Sequence, residues 1–143
     1  MIAGVEGVRT GIHVCRGNWS RNEEVLLAGD YARLLPAFTA MQVQQFVLEY
    51  ATPRAGDIGV VGEALGAREL GLGVVNPRTE TVESVAAIVA QVERALEFFP
   101  PERIFLNPDC GFGCFANRCV NDETTAAAKL AAIAAAARVL RER

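Results

Sequence analysis

Short apolar segments alternate with longer amphipathic ones along the chain, and this alternation predicts four repeats of a strand followed by a helix. The predicted strands have almost continuously apolar cores, which is typical of parallel strands that are buried on both faces. Turn-forming residues such as Asn, Pro and Gly follow each of them. The four predicted strands are Val8–Cys15, Gln45–Tyr50, Glu69–Val75 and Arg103–Leu106.

The helix after the third strand has the clearest periodicity. Apolar side chains recur there at steps of three and four residues, as on one stripe of a helix. These side chains are Val82, Val85, Val89, Val92, Leu96 and Phe99. Thr79 or Thr81 is expected to cap the start of this helix, and Pro100 with Pro101 prevents it from continuing.

The other helices follow from weaker patterns of apolar residues. Their predicted bounds are Val25–Phe38, a short turn within Asp57–Leu65, and an alanine-rich helix over Glu123–Leu140. Pro36 is expected to end or kink the first of them, because proline disrupts a helix interior. Asp122 or Asn121 is expected to cap the last.

This order of elements predicts an α/β fold with a parallel sheet covered by helices. Four βα units are half of a TIM (β/α)8 barrel, which takes about 250 residues. A small open α/β sheet is the alternative, because periodicity alone does not separate the two. We find no linker of low complexity, so residues 1–143 are expected to form a single domain.

Composition and charge narrow the class of protein. The chain has 143 residues, 51% of them hydrophobic and 22% charged, which suits one compact domain with its own core. The net charge of −3, without any run of basic residues, disfavours nucleic acid or an acidic membrane as a partner. No apolar run approaches the ~20 residues of a membrane helix, and residues 1–10 do not resemble a signal peptide. A cytoplasmic protein is expected.

Four residues with metal-binding side chains lie where the predicted strands end. His13 and Cys15 are two positions apart on one strand and therefore share a face. Glu49 ends the second strand, and Cys110 follows the fourth. The C-terminal ends of parallel strands meet at one rim, where active sites form. This set of side chains suits tetrahedral zinc, although each residue alone also has an ordinary packing interpretation.

The same residues carry a resemblance to a known family. The segments His13–Asn18 and Asn107–Phe112, with the strand end at Glu49, look like the cobalamin-independent methionine synthase family. The similarity continues through Gly71–Val75 and the Val82–Phe99 helix. It is a similarity to the C-terminal half of the zinc-dependent catalytic barrel, and especially to the shorter single-barrel relatives.

The resemblance implies both a cofactor and an activity. Family members bind zinc through one histidine, two cysteines and one glutamate, which in this chain are His13, Cys15, Glu49 and Cys110. The implied reaction is the transfer of a methyl group to a zinc-bound thiol, most simply homocysteine to give methionine. Cys114 and Cys119 lie in the same glycine-rich loop as Cys110, and the family pattern makes them bystanders.

Three further residues are candidates for substrate binding and proton transfer. Asn18 and Asp109 lie within the two matching segments and are the candidate substrate-binding residues. Arg78 is the candidate catalytic residue, because it stands at about the position where the methionine synthases carry a histidine proposed as the proton donor. This departure from the family leaves the methyl donor open.

The sequence leaves two other functions open. One is another zinc-dependent transfer of an alkyl group to a thiol, for example coenzyme M. The other is a non-catalytic half-barrel that binds zinc structurally. Because only half of the family barrel is recognisable, Val8–Cys15 and Arg103–Leu106 are expected to be unpaired edges. The expected partners are therefore a small thiol substrate, and either a second copy of the chain or the missing N-terminal half of the barrel.

Overall fold

Four parallel strands form the centre of the structure, a computed structural model that describes residues 4–18, 20–113 and 115–143. Each strand pairs in parallel with the next one along the chain, in the order β1-β2-β3-β4. This order confirms the predicted α/β fold with four βα units. The strands are β1 (Gly11–Val14), β2 (Gln45–Leu48), β3 (Glu69–Val75) and β4 (Ile104–Pro108).

In the described part of the chain, four α-helices connect or follow the strands. They are α1 (Leu35–Ala40), α2 (Gly59–Leu65), α3 (Val85–Leu96) and α4 (Glu123–Arg141). Short 3-10 turns lie at Glu23–Val25, Ala32–Leu34, Pro53–Ala55 and Pro101–Arg103. Among the described residues, no helix has both the length and the apolar character needed to cross a membrane.

The helix predicted over Val25–Phe38 is wrong. The segment instead contains two 3-10 turns and the start of the six-residue helix α1. Gly29 adopts a φ of 103°, which is outside the helical region, and so separates the two turns. Pro36 lies in the first turn of α1, where its missing N–H leaves no hydrogen bond unmade. Pro36 therefore belongs to the start of the helix and does not end it.

The caps of α3 and α4 are set by single side chains. The hydroxyl of Ser84 accepts a hydrogen bond from the backbone N–H of Ala87 at 3.2 Å, so the predicted caps Thr79 and Thr81 are wrong. The cap of α4 is Asp122, one of the two predicted residues, and it accepts from the N–H of Thr125 at 2.6 Å.

The hydrophobic core lies between one face of the sheet and the helices. Alternate residues of β2 and β3 are fully buried in one cluster with helix residues such as Ile88 and Val92. The intervening residues belong to the opposite face, where Val47 is half-buried and Phe105 is 36% exposed. The sheet therefore has one packed face and one open face, and β1 and β4 are its edges.

Replacement of the α3 cap, Ser84→Ala, is expected to lower the free energy of unfolding by about 1 kcal/mol, because one N–H at the start of the helix loses its acceptor. Urea denaturation measures this difference. Thr81→Ala is the matched control, since Thr81 contributes its backbone carbonyl, which alanine keeps. Equal losses of stability in the two variants would contradict the assignment of the cap to Ser84.

Candidate metal centre

The ends of three strands bring four candidate ligands together. Because Val14 pairs with Leu48 in register, the residues that follow them, Cys15 and Glu49, come next to each other at the rim. The loop after β4 supplies the fourth side chain. The ligand atoms of the group all lie within 4.8 Å of one another, and the group is His13, Cys15, Glu49 and Cys110.

The separation of the two sulfur atoms fits a shared metal ion. Cys15 Sγ and Cys110 Sγ are 3.8 Å apart, and neither cysteine forms a disulfide. Two sulfurs at tetrahedral angles and about 2.3 Å from zinc are themselves about 3.8 Å apart. A disulfide would need about 2.05 Å. Two thiols, one imidazole and one carboxylate at this spacing form a donor set that fits zinc.

The imidazole of His13 is oriented by the neighbouring strand. Its Nδ1 lies 3.2 Å from the carbonyl oxygen of Val47, which can only accept, so Nδ1 carries the ring proton. In a neutral imidazole the lone pair is then on Nε2, which lies 3.7 Å from Glu49 Oε1. A metal-binding histidine is commonly held through its other ring nitrogen in this way.

Glu49 is buried, and its carboxylate accepts hydrogen bonds at both oxygens. The backbone N–H of Arg16 donates to Oε1 at 3.1 Å, and the side-chain amide of Asn18 donates to Oε2 at 2.6 Å. The hydroxyl of Tyr31 holds the Glu49 backbone, accepting from its N–H and donating to its carbonyl. Burial raises the pKa of Tyr31, so the hydroxyl keeps its proton. Asn18 thus contacts a candidate ligand, and its role in substrate binding stays a prediction.

Asp109 holds the loop that carries Cys110. Its Oδ1 accepts from the backbone N–H groups of Tyr50 and Ala51, each at 2.9 Å. The carboxyl group is therefore bonded to the end of β2, beside Glu49. Burial raises the pKa of Asp109 to about 7, and the charge of Glu49 adds to this effect, while the N–H of Ala51 opposes it. Substrate binding by Asp109 stays a prediction as well.

The two glycines of β3 make room for this arrangement, and sequence reasoning did not connect them with the site. A Cβ at Gly73 would fall on Asp109 Oδ1 and would lie 2.9 Å from the carbonyl oxygen of Leu48. A Cβ at Gly71 would lie 2.9 Å from Asn107 Oδ1. The available signal was their spacing of two along a strand, which places both on the same face and allows the next loop to approach closely.

Arg78 is buried and is bonded to the loop after β1. Its Nε donates to the carbonyl of Ser20 at 2.5 Å, and its Nη2 donates to the carbonyl of Arg21 at 3.0 Å. Asn121, in the loop after β4, donates to the carbonyl of Thr79 at 2.7 Å. These contacts join three loops over the rim and favour a positioning role for Arg78, whereas proton transfer by this residue stays a prediction.

Two further cysteines, Cys114 and Cys119, follow Cys110 in the sequence. Cys119 is exposed, and the group of ligand atoms found among the described residues does not include it. Cys114 lies outside the described residues. The prediction that both are bystanders stays a prediction.

Comparison with protein families assigns the chain. Residues 12–138 match the model described as the catalytic domain of cobalamin-independent synthase. The chain belongs to this family. The match extends from β1 into α4 and includes all four candidate ligands, so the resemblance seen in the sequence is confirmed.

Curated members of the family show how much of a complete protein is present. The methionine synthase of Pyrococcus horikoshii is 35% identical over 104 residues, which are 73% of this chain and 27% of that protein. The methionine synthase of Thermococcus kodakarensis is 38% identical over 112 residues, which are 75% of this chain and 29% of that protein. The chain thus aligns with little more than a quarter of the length of these relatives.

Solved structures confirm the fold. A B12-independent methionine synthase from Shewanella sp. W3-18-1, in complex with selenomethionine, matches 99% of this chain and 40% of its own, with a TM-score of 0.82 and 18% identity. A putative vitamin-B12 independent methionine synthase from Listeria monocytogenes matches 98% of this chain and 36% of its own, with a TM-score of 0.56 and 21% identity. The four βα units form the predicted C-terminal half of a TIM barrel.

Crowding at the strand next to the site gives a test of this geometry. Gly73→Ala is expected to lower the free energy of unfolding by about 1–3 kcal/mol, because the added methyl group meets the Asp109 side chain and a strand carbonyl. Displacement of Asp109 also moves Cys110, so the affinity for zinc in a competition with a chelator should fall.

Gly111→Ala is the control for this variant. A Cβ at Gly111 meets nothing within 4 Å, and this residue also adjoins Cys110. It should change neither quantity appreciably. If the Gly73→Ala protein had wild-type stability and wild-type zinc affinity, the position of the Asp109 side chain would not depend on the absence of a Cβ at Gly73.

Proposed function

We propose that this chain carries the zinc centre of a cobalamin-independent methionine synthase, and that the centre activates homocysteine for methyl transfer to give methionine. The observation that supports the proposal most is the convergence of four ligand atoms within 4.8 Å at the rim. The family match and the methionine synthases among the relatives support the same reaction.

The protein side chains make the proposed centre electron-rich. Cys15 and Cys110 as thiolates, with the Glu49 carboxylate, exceed the charge of a zinc ion by one negative charge. Zinc, when bound, supplies the Lewis acidity that keeps a substrate thiol deprotonated at neutral pH. The anionic side chains of Cys15, Cys110 and Glu49 would preserve electron density on the substrate sulfur, so that it would remain a nucleophile towards the methyl group.

Glu49 is the proposed ligand that gives way to the substrate. Soft thiolate ligands suit zinc, whereas a carboxylate oxygen is a harder and weaker partner at such a site. A carboxylate displaced from the metal would keep its hydrogen-bond donors, the backbone N–H of Arg16 and the side-chain amide of Asn18, so its charge would not be left unpaired in a buried position. Cys15 and Cys110 would hold the metal throughout and keep the centre anionic.

The cellular compartment that we propose follows from the need to keep Cys15 and Cys110 reduced. A centre that needs Cys15 and Cys110 as thiolates requires a reducing environment, since oxidising compartments favour disulfides. We therefore place the protein in the cytoplasm.

The proposed working form includes partners for the two edge strands. The backbone groups of β1 and β4 that point away from the sheet lack strand partners within the described residues, and Phe105 on the open face is 36% exposed. We propose that residues 1–143 act as one domain that pairs with a second copy, or with the N-terminal half of the family barrel. Either partner would supply the remaining walls around the substrate.

Zinc content and sulfur coordination test the proposed function. The purified chain is expected to hold one zinc ion per centre by elemental analysis. Homocysteine should raise the number of sulfur ligands from two to three in X-ray absorption, because its thiolate replaces the Glu49 carboxylate. Cys15→Ser and Cys110→Ser should each lose the zinc.

Cys119→Ser is the matched control and should keep full zinc occupancy, as should Cys114→Ser. Full occupancy in Cys110→Ser would overturn the ligand set. Bound zinc that gains no sulfur from homocysteine would favour a non-catalytic half-barrel, an alternative consistent with the limited share of the relatives' length that this chain matches. A third sulfur from coenzyme M, but not from homocysteine, would favour a different thiol acceptor.

Light scattering tests the pairing of the edges. The chain is expected to form a dimer, or to bind the N-terminal half of a relative's barrel when the two are mixed, because parallel pairing satisfies β1 and β4. A monomer that unfolds in one cooperative transition and does not bind that half would show that the edges need no partner.

A further inference from the structure

The turn after β1 surrounds the carboxylate of Glu49 asymmetrically. Oε1 accepts from the backbone N–H of Arg16 and is also the oxygen 3.7 Å from His13 Nε2. Oε2 accepts from the side-chain amide of Asn18 at 2.6 Å. One oxygen therefore borders the other candidate ligands, and the second is held by Asn18.

The turn has its own structural support. Gly17 adopts a φ of 98°, and a Cβ there would lie 2.9 Å from the carbonyl oxygen of Val25. The guanidinium of Arg16 donates to the carbonyl of Leu27 at 3.1 Å and lies over the ring of Tyr31. The N–H of Leu27 donates back to the carbonyl of Arg16 at 3.0 Å. Asn18 is thus held against Glu49 by contacts that need no metal.

Because both side chains are buried, the hydrogen bond between Asn18 and Glu49 is costly to break. Asn18 and Glu49 are each 3% exposed, so water does not readily replace either partner. A buried carboxylate without its donor, and a buried amide without its acceptor, are both strongly disfavoured. Each side chain therefore restricts the orientation of the other.

We propose that Asn18 is a positioning residue for Glu49, which holds Oε2 so that Oε1 alone is presented to the metal. The inference rests on the proposed function, because it concerns the carboxylate that substrate displaces. A carboxylate held in this way would offer the metal one oxygen in a fixed orientation, whereas a carboxylate released from Asn18 would turn away from that orientation and bind the metal more weakly. Asn18 thus acts through Glu49 and not by contact with the thiol.

The test is a double-mutant cycle on zinc affinity, measured by competition with a chromophoric chelator. Asn18→Ala is expected to weaken zinc binding 10- to 100-fold, as is usual for loss of a group that orients a ligand. In a Glu49→Ala background the same change should alter the affinity by less than about twofold, because its target is gone. A general structural defect would weaken binding in both backgrounds.

Asn121→Ala is the matched control, because Asn121 is another buried asparagine whose amide holds loop carbonyls. It should lower stability without changing zinc affinity. Asn18→Leu is a second variant for the case in which Asn18→Ala does not fold, because leucine has nearly the shape of asparagine but lacks the amide N–H groups. It should show the same 10- to 100-fold loss.

The outcomes separate the two proposals. A wild-type chain that binds no zinc would overturn the proposed function and, with it, the role of Asn18. A wild type that binds zinc, together with unchanged affinity in the Asn18 variants or with equal losses in both Glu49 backgrounds, would overturn the role of Asn18 alone.

Discussion

The hydrogen bonds that Asp109 makes with the end of β2 are the interaction on which the candidate centre depends. They connect the loop after β4 to the backbone at Tyr50 and Ala51, and so bring Cys110 to the ligands from the first two strands. This connection spans β3, and it is possible because Gly73 leaves the space that the carboxyl group occupies. The backbone N–H of Asp109 also donates to the carbonyl of Val75 at 3.0 Å, so the same loop is held to β3 as well.

Electrostatics then give the centre its chemical character. Burying the Glu49 carboxylate is costly unless donors compensate it, and Arg16 and Asn18 provide those donors from the turn after β1. Two thiols and an imidazole whose lone pair faces the same point complete a set of donors that favours a divalent cation. The surrounding protein thus restrains the carboxylate while leaving both sulfurs accessible at the rim.

The rim loops are anchored far more firmly than the short helices α1 and α2 would suggest. Lys129 is fully buried on α4 and bonds to Glu83 at 2.9 Å, and Glu83 in turn accepts from the N–H of Asn76 at 2.7 Å. Arg78 then reaches from this loop to the loop after β1. The loops at the rim of the half-barrel are therefore held to one another by side-chain hydrogen bonds. The edge strands β1 and β4, in contrast, are open, and it is these edges that the proposed partner would cover.

The sequence by itself determined the elements whose signals are local. The apolar run of β3 predicted its bounds correctly, and the periodic and alanine-rich segments predicted α3 and α4. A helix that buries one face needs apolar side chains at steps of three and four residues, so the spacing of residues shows it. The sequence also predicted the four candidate ligands, since parallel strands place their carboxyl ends at one rim. Only the tertiary structure decided the conformation of the segment predicted as Val25–Phe38, where Gly29 and contacts with Arg16 override helix propensity. The tertiary structure alone also decided that Asn18 contacts Glu49 and that Asp109 contacts the end of β2, because these hydrogen bonds join residues far apart in the chain.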